Sequence, residues 1–323
     1  MKSEIALRTE GLKKYFPVRR GFLQKVSGWI KAVDSVDLEI EKGKTLGLVG
    51  ESGCGKSTVA RVILKLLEPD GGRIIFNGRD ISGLSESEMK PLRKNMQIIF
   101  QDPFGSLNPR MTIGQSIEEG LLTLGLKRAQ RKDRVEELLR MVGISAGSSD
   151  RYPHEFSGGQ RQRIGIARAL SVDPSLIICD EPVSALDVSI QAQIINLLND
   201  LQENLGLSYL FISHDLNVVS YISDKTAVMY LGQIMEYATT EEIFENPLHP
   251  YTKALLSAIP VPEPGKGIDT KLLGGDVPSL THAIEGCKFQ NRCPMVEERC
   301  RTTEIDIYRA GGDGHMVRCW KVA

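Results

Sequence analysis

Short apolar runs alternate along the chain with longer stretches in which apolar positions recur every three or four residues. Thr45 to Val49, Met96 to Phe100, Leu176 to Cys179 and Ser208 to Ser213 are runs of the first kind and predict buried strands. Lys56 to Leu67 carries Val59, Val62, Ile63, Leu66 and Leu67 at helical spacing, and Ile190 to Leu205 has the same period. Gly114 to Ser148 is mostly helical in pattern. Arg73 to Phe76 and Asp80 to Ile81 flank Asn77-Gly78, a strong hairpin-turn signal. Strands alternating with helices predict an α/β fold, a parallel sheet with helices packed on it. The pattern changes at about residue 246. Asn246-Pro247, His249-Pro250, Pro260, Pro262, Pro264 and Pro278 lie close together. Proline fixes φ and lacks a backbone donor, so this stretch is predicted to be an irregular linker to a small cysteine-bearing tail.

The 323 residues suggest about two domains. Lys and Arg total 40 against 41 Asp and Glu, a formal net charge of −1 that gives no sign of a nucleic-acid binder. The basic run Lys127, Arg128, Arg131, Lys132 and Arg134 reads as a solvated helix face. No apolar run approaches the roughly 18 residues of a membrane span. The first ten residues carry acids at Glu4 and Glu10 and resemble no secretory signal. The chain is therefore expected in the cytosol, with any membrane role exerted through a partner. Six cysteines there argue for thiols or metal ligands over disulfides.

Gly50-Glu51-Ser52-Gly53-Cys54-Gly55-Lys56-Ser57 fits G-x-x-x-x-G-K-[ST] between a predicted strand and a predicted helix. Glycines there let backbone N–H groups turn inward around phosphate oxygens, and the helix start adds partial positive charge. Lys56 can reach the β- and γ-phosphates, Ser57 can ligate Mg²⁺, and Thr58 continues the nucleotide-facing turn. Cys54, beside the helix start, is expected to have a lowered pKa and to alkylate readily.

Leu176 to Cys179 leads into Asp180-Glu181. Asp180 at a strand end is placed to hold Mg²⁺ through water, and Glu181 to polarise a water attacking the γ-phosphate. Ser157-Gly158-Gly159-Gln160 opens a helix with an S-x-x-Q capping box. A cap alone does not account for the two glycines, which predict a close approach of backbone to an anion.

With these residues in place the chain resembles the ATPases of ABC transporters. The phosphate loop, the Ser157 to Gln160 signature, Asp180-Glu181, Ser184-Ala185-Leu186-Asp187 and Ser213-His214-Asp215 occur in that family's order, over about residues 5 to 245. Phe156 stands where many members have leucine. The resemblance implies a P-loop nucleotide-binding domain at 1–245, with a RecA-like core on a mixed sheet, an antiparallel β subdomain and a helical subdomain at about 103–172. It implies ATP held between two subunits head to tail, one offering the phosphate loop and the other the signature. Tyr15 then resembles the aromatic that stacks on adenine, with Phe16 its rival. Gln101 resembles the residue joining Mg²⁺ and the attacking water to the membrane partner. Asp187 resembles the residue that crosses the dimer interface, and His214 the γ-phosphate contact.

Cys287, Cys293, Cys300 and Cys319 are spaced C-x5-C-x6-C-x18-C. The close pairs of structural zinc sites are absent, and four thiolates can also hold [4Fe–4S]; spacing leaves cluster, zinc and unliganded thiols open. Asn246-Pro247-Leu248-His249-Pro250-Tyr251-Thr252 through Pro264 is similar to the C-terminal extension of ATPases from peptide and nickel importers. That resemblance implies an extension at 246–323 carrying a [4Fe–4S] cluster on the four cysteines, a staple for a tail too small to build its own core. The segment between Tyr15 and Val33 resembles the second ATPase subunit of dipeptide permeases.

The expected function is ATP hydrolysis with Mg²⁺ that powers import of dipeptides or oligopeptides. Expected partners are a second ATPase subunit, identical or paralogous, two membrane permease subunits and an extracellular peptide-binding protein. The expected location is the cytoplasmic face of the membrane. Nickel or another small solute is the alternative cargo. A soluble ABC ATPase of translation or DNA repair and an iron–sulfur electron carrier are the alternatives of other classes.

Overall fold

The computed structural model describes residues 4–21, 25–102, 105–258, 284–310 and 314–322. The chain opens with strands β1 (Ile5–Arg20), β2 (Lys25–Glu41) and β3 (Thr45–Val49), helix α1 (Lys56–Ile63) and the hairpin β4 (Gly71–Phe76) and β5 (Arg79–Asp80). Then come α2 (Glu86–Met89), β6 (Met96–Ile99), α3 (Ile113–Leu122), α4 (Arg128–Met141), α5 (Gly158–Leu170), β7 (Leu176–Asp180), α6 (Val188–Leu205) and β8 (Ser208–Ser213). The rest is α7 (Leu216–Ile222), β9 (Lys225–Tyr230), β10 (Gln233–Thr239), α8 (Thr240–Glu245), α9 (Pro250–Ser257), α10 (Glu298–Thr302), β11 (Tyr308–Arg309) and β12 (Met316–Val317).

Two compact units result. The first comprises Met1–Ala6, Ile40–Thr45 and Gly83–Ser213. In it β6, β7 and β8 lie parallel with β7 central, pairing Ile98 with Ile178 and Ile178 with Leu210. Every residue of β7 and β8 is buried. Burial on both faces makes these strands read as unbroken apolar runs. Parallel neighbours end at the same edge, which sets Gln101, just after β6, beside Glu181, just after β7. Of the basic run, Lys127, Arg128 and Lys132 are exposed, while the half-buried Arg131 and Arg134 are ion-paired, Arg131 to Glu118 at 2.6 Å and Arg134 to Glu137 at 2.8 Å.

The second unit comprises Leu7–Glu39, Leu46–Ser82 and His214–Ala323. Strand β3 pairs parallel with β9, Val49 against Val228, and β9 pairs antiparallel with β10. A separate antiparallel sheet runs β2-β1-β4-β5. Asn77 and Gly78 both have positive φ, 47° and 78°, as a two-residue hairpin turn demands. Helix α1 is shorter than its apolar pattern because Lys65 adopts φ 54° and ends it.

The proline-rich stretch is not wholly irregular. Helix α9 begins at Pro250, since proline suits the first helical position, where no intrahelical N–H bond is needed. His249 caps it, its Nδ1 accepting from Tyr251 N at 3.0 Å. Pro260, Pro262, Pro264 and Pro278 lie outside the described residues.

Candidate functional site

In the second unit β3 delivers the chain into the loop Gly50 to Gly55, and α1 leaves it. Gly50, Gly53 and Gly55 have φ of 153°, 77° and 114°. A Cβ at Gly50 would stand 2.2 Å from Met229 O, and one at Gly55 2.1 Å from Ala32 O, so only glycine fits at either position. Gly55 caps α1 without any side-chain acceptor. The first turn therefore presents its N–H groups to the loop side, the arrangement that receives phosphate. Lys56 is 5% exposed, and its Nζ donates to Gly50 O at 2.8 Å and Glu51 O at 3.0 Å. The ammonium spans the loop from beneath. Ser57 and Thr58 are half-buried in the first turn, while Ser52 and Gly53 are exposed at the loop tip. These residues suit a polyphosphate with its metal ion.

Cys54 departs from expectation. It is 2% exposed, and burial pushes its thiol up against the pull of the Lys56 ammonium. A helix start lowers a thiol pKa only where solvent or charge can support the thiolate, and desolvation prevails here.

Tyr15 is half-buried on β1. Its hydroxyl donates to Asp34 Oδ1 at 2.6 Å, and Lys31 Nζ lies 5.6 Å from its ring centroid. Burial and the Asp34 carboxylate raise its pKa. His214, exposed after β8, precedes Asp215, which caps α7 by accepting from Asn217 N at 2.9 Å.

In the first unit Asp180 is 7% exposed at the end of β7. Glu181 follows with φ 50°, a left-handed conformation that a non-glycine residue adopts at a cost of roughly 1–3 kcal/mol. Its N–H bonds Ile212 O at 3.0 Å, and its Oε2 accepts from Gln101 Nε2 at 3.0 Å. Two sequence-predicted residues 80 apart thus meet in one hydrogen bond.

Ser157 caps α5: its Oγ accepts from Gln160 N at 3.4 Å, and its N–H donates to Gln160 Oε1 at 3.0 Å. The glycines have different reasons. A Cβ at Gly159 would stand 2.4 Å from Ile190 Cγ2 of α6, whereas one at Gly158 would meet Leu186 at an ordinary 3.5 Å. Helix packing by itself requires glycine at 159, whereas at 158 it does not. Phe156 is buried, and the Arg151 guanidinium lies 4.7 Å from its ring centroid, so phenylalanine is accommodated here. Asp187 starts α6 and is exposed, with no hydrogen bond from its side chain to the helix start.

Cys287, Cys293, Cys300 and Cys319 are free thiols. Burial raises Cys287 to about 11 and lifts Cys293 and Cys319 too, with the neighbouring cysteines adding to each. Among the described residues no three His, Cys, Asp or Glu side chains gather closely enough to hold a metal ion. The expected [4Fe–4S] site is therefore not supported among the described residues. Other contacts fasten the tail to the second unit. Strand β12 pairs with β10, and Phe289, fully buried, packs edge-on to Tyr230 with centroids 5.4 Å apart. The buried Glu236 accepts from Leu248 N at 2.7 Å, His249 N at 3.0 Å and His315 Nε2 at 2.8 Å. A small tail sewn to an existing sheet needs no core of its own.

The sequence did not point to Arg292, Tyr251 or Asp34. All three act through long-range contacts within this unit, and no periodicity or motif marks such contacts.

The family described as "ABC transporter" matches residues 33–184, and that described as "Oligopeptide/dipeptide transporter, C-terminal region" matches residues 235–300. The chain is 52% identical to the oligopeptide transport ATP-binding protein AppF of Bacillus subtilis (strain 168), over 98% of this chain and 97% of that one. It is 49% identical to the oligopeptide transport ATP-binding protein OppF of Salmonella typhimurium (strain LT2), over 99% and 97%. Among solved structures it resembles the dimeric post-hydrolysis state of the ATP-binding cassette MJ0796 bound to ADP and Pi. The TM-score is 0.65 at 27% identity, covering 72% of this chain and 98% of that one.

Proposed function

We propose, for a chain that belongs to the ATP-binding proteins of ABC transporters and to their oligopeptide/dipeptide branch, that it hydrolyses ATP to drive the import of short peptides. It works at the cytoplasmic face of the membrane with two permease subunits, a second ATP-binding subunit and an extracellular peptide-binding protein. Among the described residues no helix is long and apolar enough to cross a membrane. The observation that carries the reading is the pair of half-sites: the uncapped start of α1 with Lys56 beneath it, and the Gln101–Glu181 hydrogen bond of 3.0 Å.

In this reading the ATPase domain spans 1–245, with its helical part at about 103–172, and the extension spans 246–323. Residues Gly50 to Thr58 and Tyr15 bind nucleotide from one subunit. Ser157, Gly158, Gly159, Gln160 and Asp187 bind it from the other. Val188, 81% exposed beside Asp187, supports a face that a second subunit covers. Ser57, Gln101 and Asp180 would hold Mg²⁺, which would neutralise phosphate charge. Glu181 takes the proton of the attacking water, Gln101 orients both, and His214 contacts the γ-phosphate. A cluster or zinc on Cys287, Cys293, Cys300 and Cys319 is a finer part of the proposal, supported by four free thiols of which three lie near enough to raise the Cys287 thiol. Iron, sulfide and zinc analysis of protein purified without oxygen tests it; folded, metal-free protein removes it.

A Glu181→Gln variant is expected to bind ATP and dimerise while hydrolysis falls about 10²- to 10⁴-fold. Full turnover would overturn the base assignment. In the complex with its permeases and binding protein, short peptides should accelerate hydrolysis; acceleration by Ni²⁺ instead would assign the nickel cargo.

A further inference from the structure

The tail reaches the nucleotide half-site of its own unit through two cations that no role above uses. Arg292, just before Cys293, forms a two-pronged bridge to Glu51, Nη1 to Oε2 at 2.7 Å and Nη2 to Oε1 at 2.9 Å. The Arg292 side chain is 5% exposed and that of Glu51 21%. Glu51 is the second residue of the phosphate loop. Its N–H donates to the Tyr251 hydroxyl of α9 at 3.0 Å, and its carbonyl accepts from Lys56 Nζ at 3.0 Å. One loop residue is thereby held by side chain and backbone from two C-terminal segments, and it touches the phosphate-binding lysine.

Lys288 does the corresponding work at the other end. Its Nζ donates to Asp34 Oδ2 at 2.8 Å and to Leu231 O at 3.0 Å, and Asp34 in turn accepts from the Tyr15 hydroxyl. Both Lys288 and Asp34 are nearly buried. Between the two cations Phe289 packs against Tyr230 and Tyr251, which fixes their spacing.

We propose that the 288–292 turn is a positioning clamp for nucleotide: Arg292 sets the phosphate loop through Glu51, and Lys288 sets Tyr15 through Asp34. The proposal rests on the reading of Gly50 to Thr58 and Tyr15 as nucleotide ligands. A forked guanidinium–carboxylate pair fixes orientation as well as distance, and a largely buried one escapes the solvent screening that makes surface pairs weak. A loop and ring already held in place lose less freedom when nucleotide binds, so affinity depends on the clamp.

The test titrates the full-length chain with a fluorescent ATP analogue and Mg²⁺, alongside maleimide labelling of Cys54 and ATPase kinetics. Arg292→Ala is expected to weaken binding about tenfold, which corresponds to about 1.4 kcal/mol. It should raise KM for ATP more than it lowers kcat, and it should speed Cys54 labelling as the loop loosens. Glu51→Ala should do the same, and the double variant should add little, because both remove one interaction. If Arg292→Ala does not fold, Glu51→Ala reads the same bridge from the exposed side of the loop. Lys288→Met should weaken ATP while leaving tripolyphosphate binding unchanged. Wild-type affinity and wild-type labelling in folded Glu51→Ala would overturn the clamp. Lys56→Ala separates the two readings: loss of binding there with none in Glu51→Ala fells the clamp alone, whereas unchanged binding in Lys56→Ala fells the nucleotide site and the clamp with it.

Discussion

Gln101 Nε2 donates to Glu181 Oε2 at 3.0 Å, so the residue after β6 holds the side chain of the residue after β7. The bond aims a strained acid, and its amide form matters. Gln101→Glu would put two carboxylates at hydrogen-bond distance, and such a pair resists full ionisation. The proton it keeps disables the base at neutral pH. The ATPase rate of the variant should fall near pH 7 and recover as pH rises, while the wild-type profile stays flatter. A rate–pH series checks this, and identical profiles would show that the two side chains part during turnover.

Gly159 and Gly158 should separate folding from function. Gly159→Ala drives a methyl to 2.4 Å from Ile190 Cγ2, which costs about 1–3 kcal/mol of stability by overpacking. Ile190→Ala in the same chain should restore much of that loss. Gly158→Ala should melt like the parent and lose ATPase activity. Thermal melts beside turnover assays read both, and equal melting of the two single variants would contradict the packing described.

His249 makes the second unit acid-sensitive before its carboxylates do. Burial, aided by Arg318, pushes the imidazole down from 6.5 to about 3. The unfolded chain therefore binds the extra proton throughout that window. Stability is full above about pH 6.5 and is lost as pH falls toward 3, by up to about 1.4 kcal/mol per pH unit. His249→Asn keeps a cap acceptor for α9 and should flatten the slope between pH 6.5 and 5 in denaturant titrations. An unchanged slope would assign the acid sensitivity elsewhere.

Cys54 should alkylate more slowly than a free thiol at pH 7.5, since both burial and a raised pKa oppose it. Labelling rates against a small thiol standard measure this, with Cys179 as a fully buried internal reference. Rates equal to the standard would mean that the loop opens freely without nucleotide.

Much of this protein is local, and local features are written in the chain. Asn77-Gly78 dictates a tight turn whatever surrounds it. The Gly50 to Ser57 spacing dictates a strand, a loop and a helix start, and Ser157 with Gln160 dictates a cap. The parallel strands were legible because burial on both faces leaves only apolar residues to read. Where a short-range rule competed with context, context prevailed. Proline density suggested no helix near residue 250, yet Pro250 at a first turn begins one. Gly159 must also be glycine for packing against Ile190, a need that its motif does not record. The tail is also fastened by Phe289, Glu236 and strand pairing, which the cysteine spacing does not record.

The amino-acid order by itself determined which chemistry is present: a phosphate loop, an acid pair, a signature and a thiol-bearing tail, each encoded within a few neighbouring residues. Tertiary structure alone decided which of these meet. Gln101 and Glu181 are 80 residues apart, and Glu51 and Arg292 are 241 apart. Such pairs form only when sheet register and side-chain packing bring distant segments to bonding distance, and no periodicity along the chain records that.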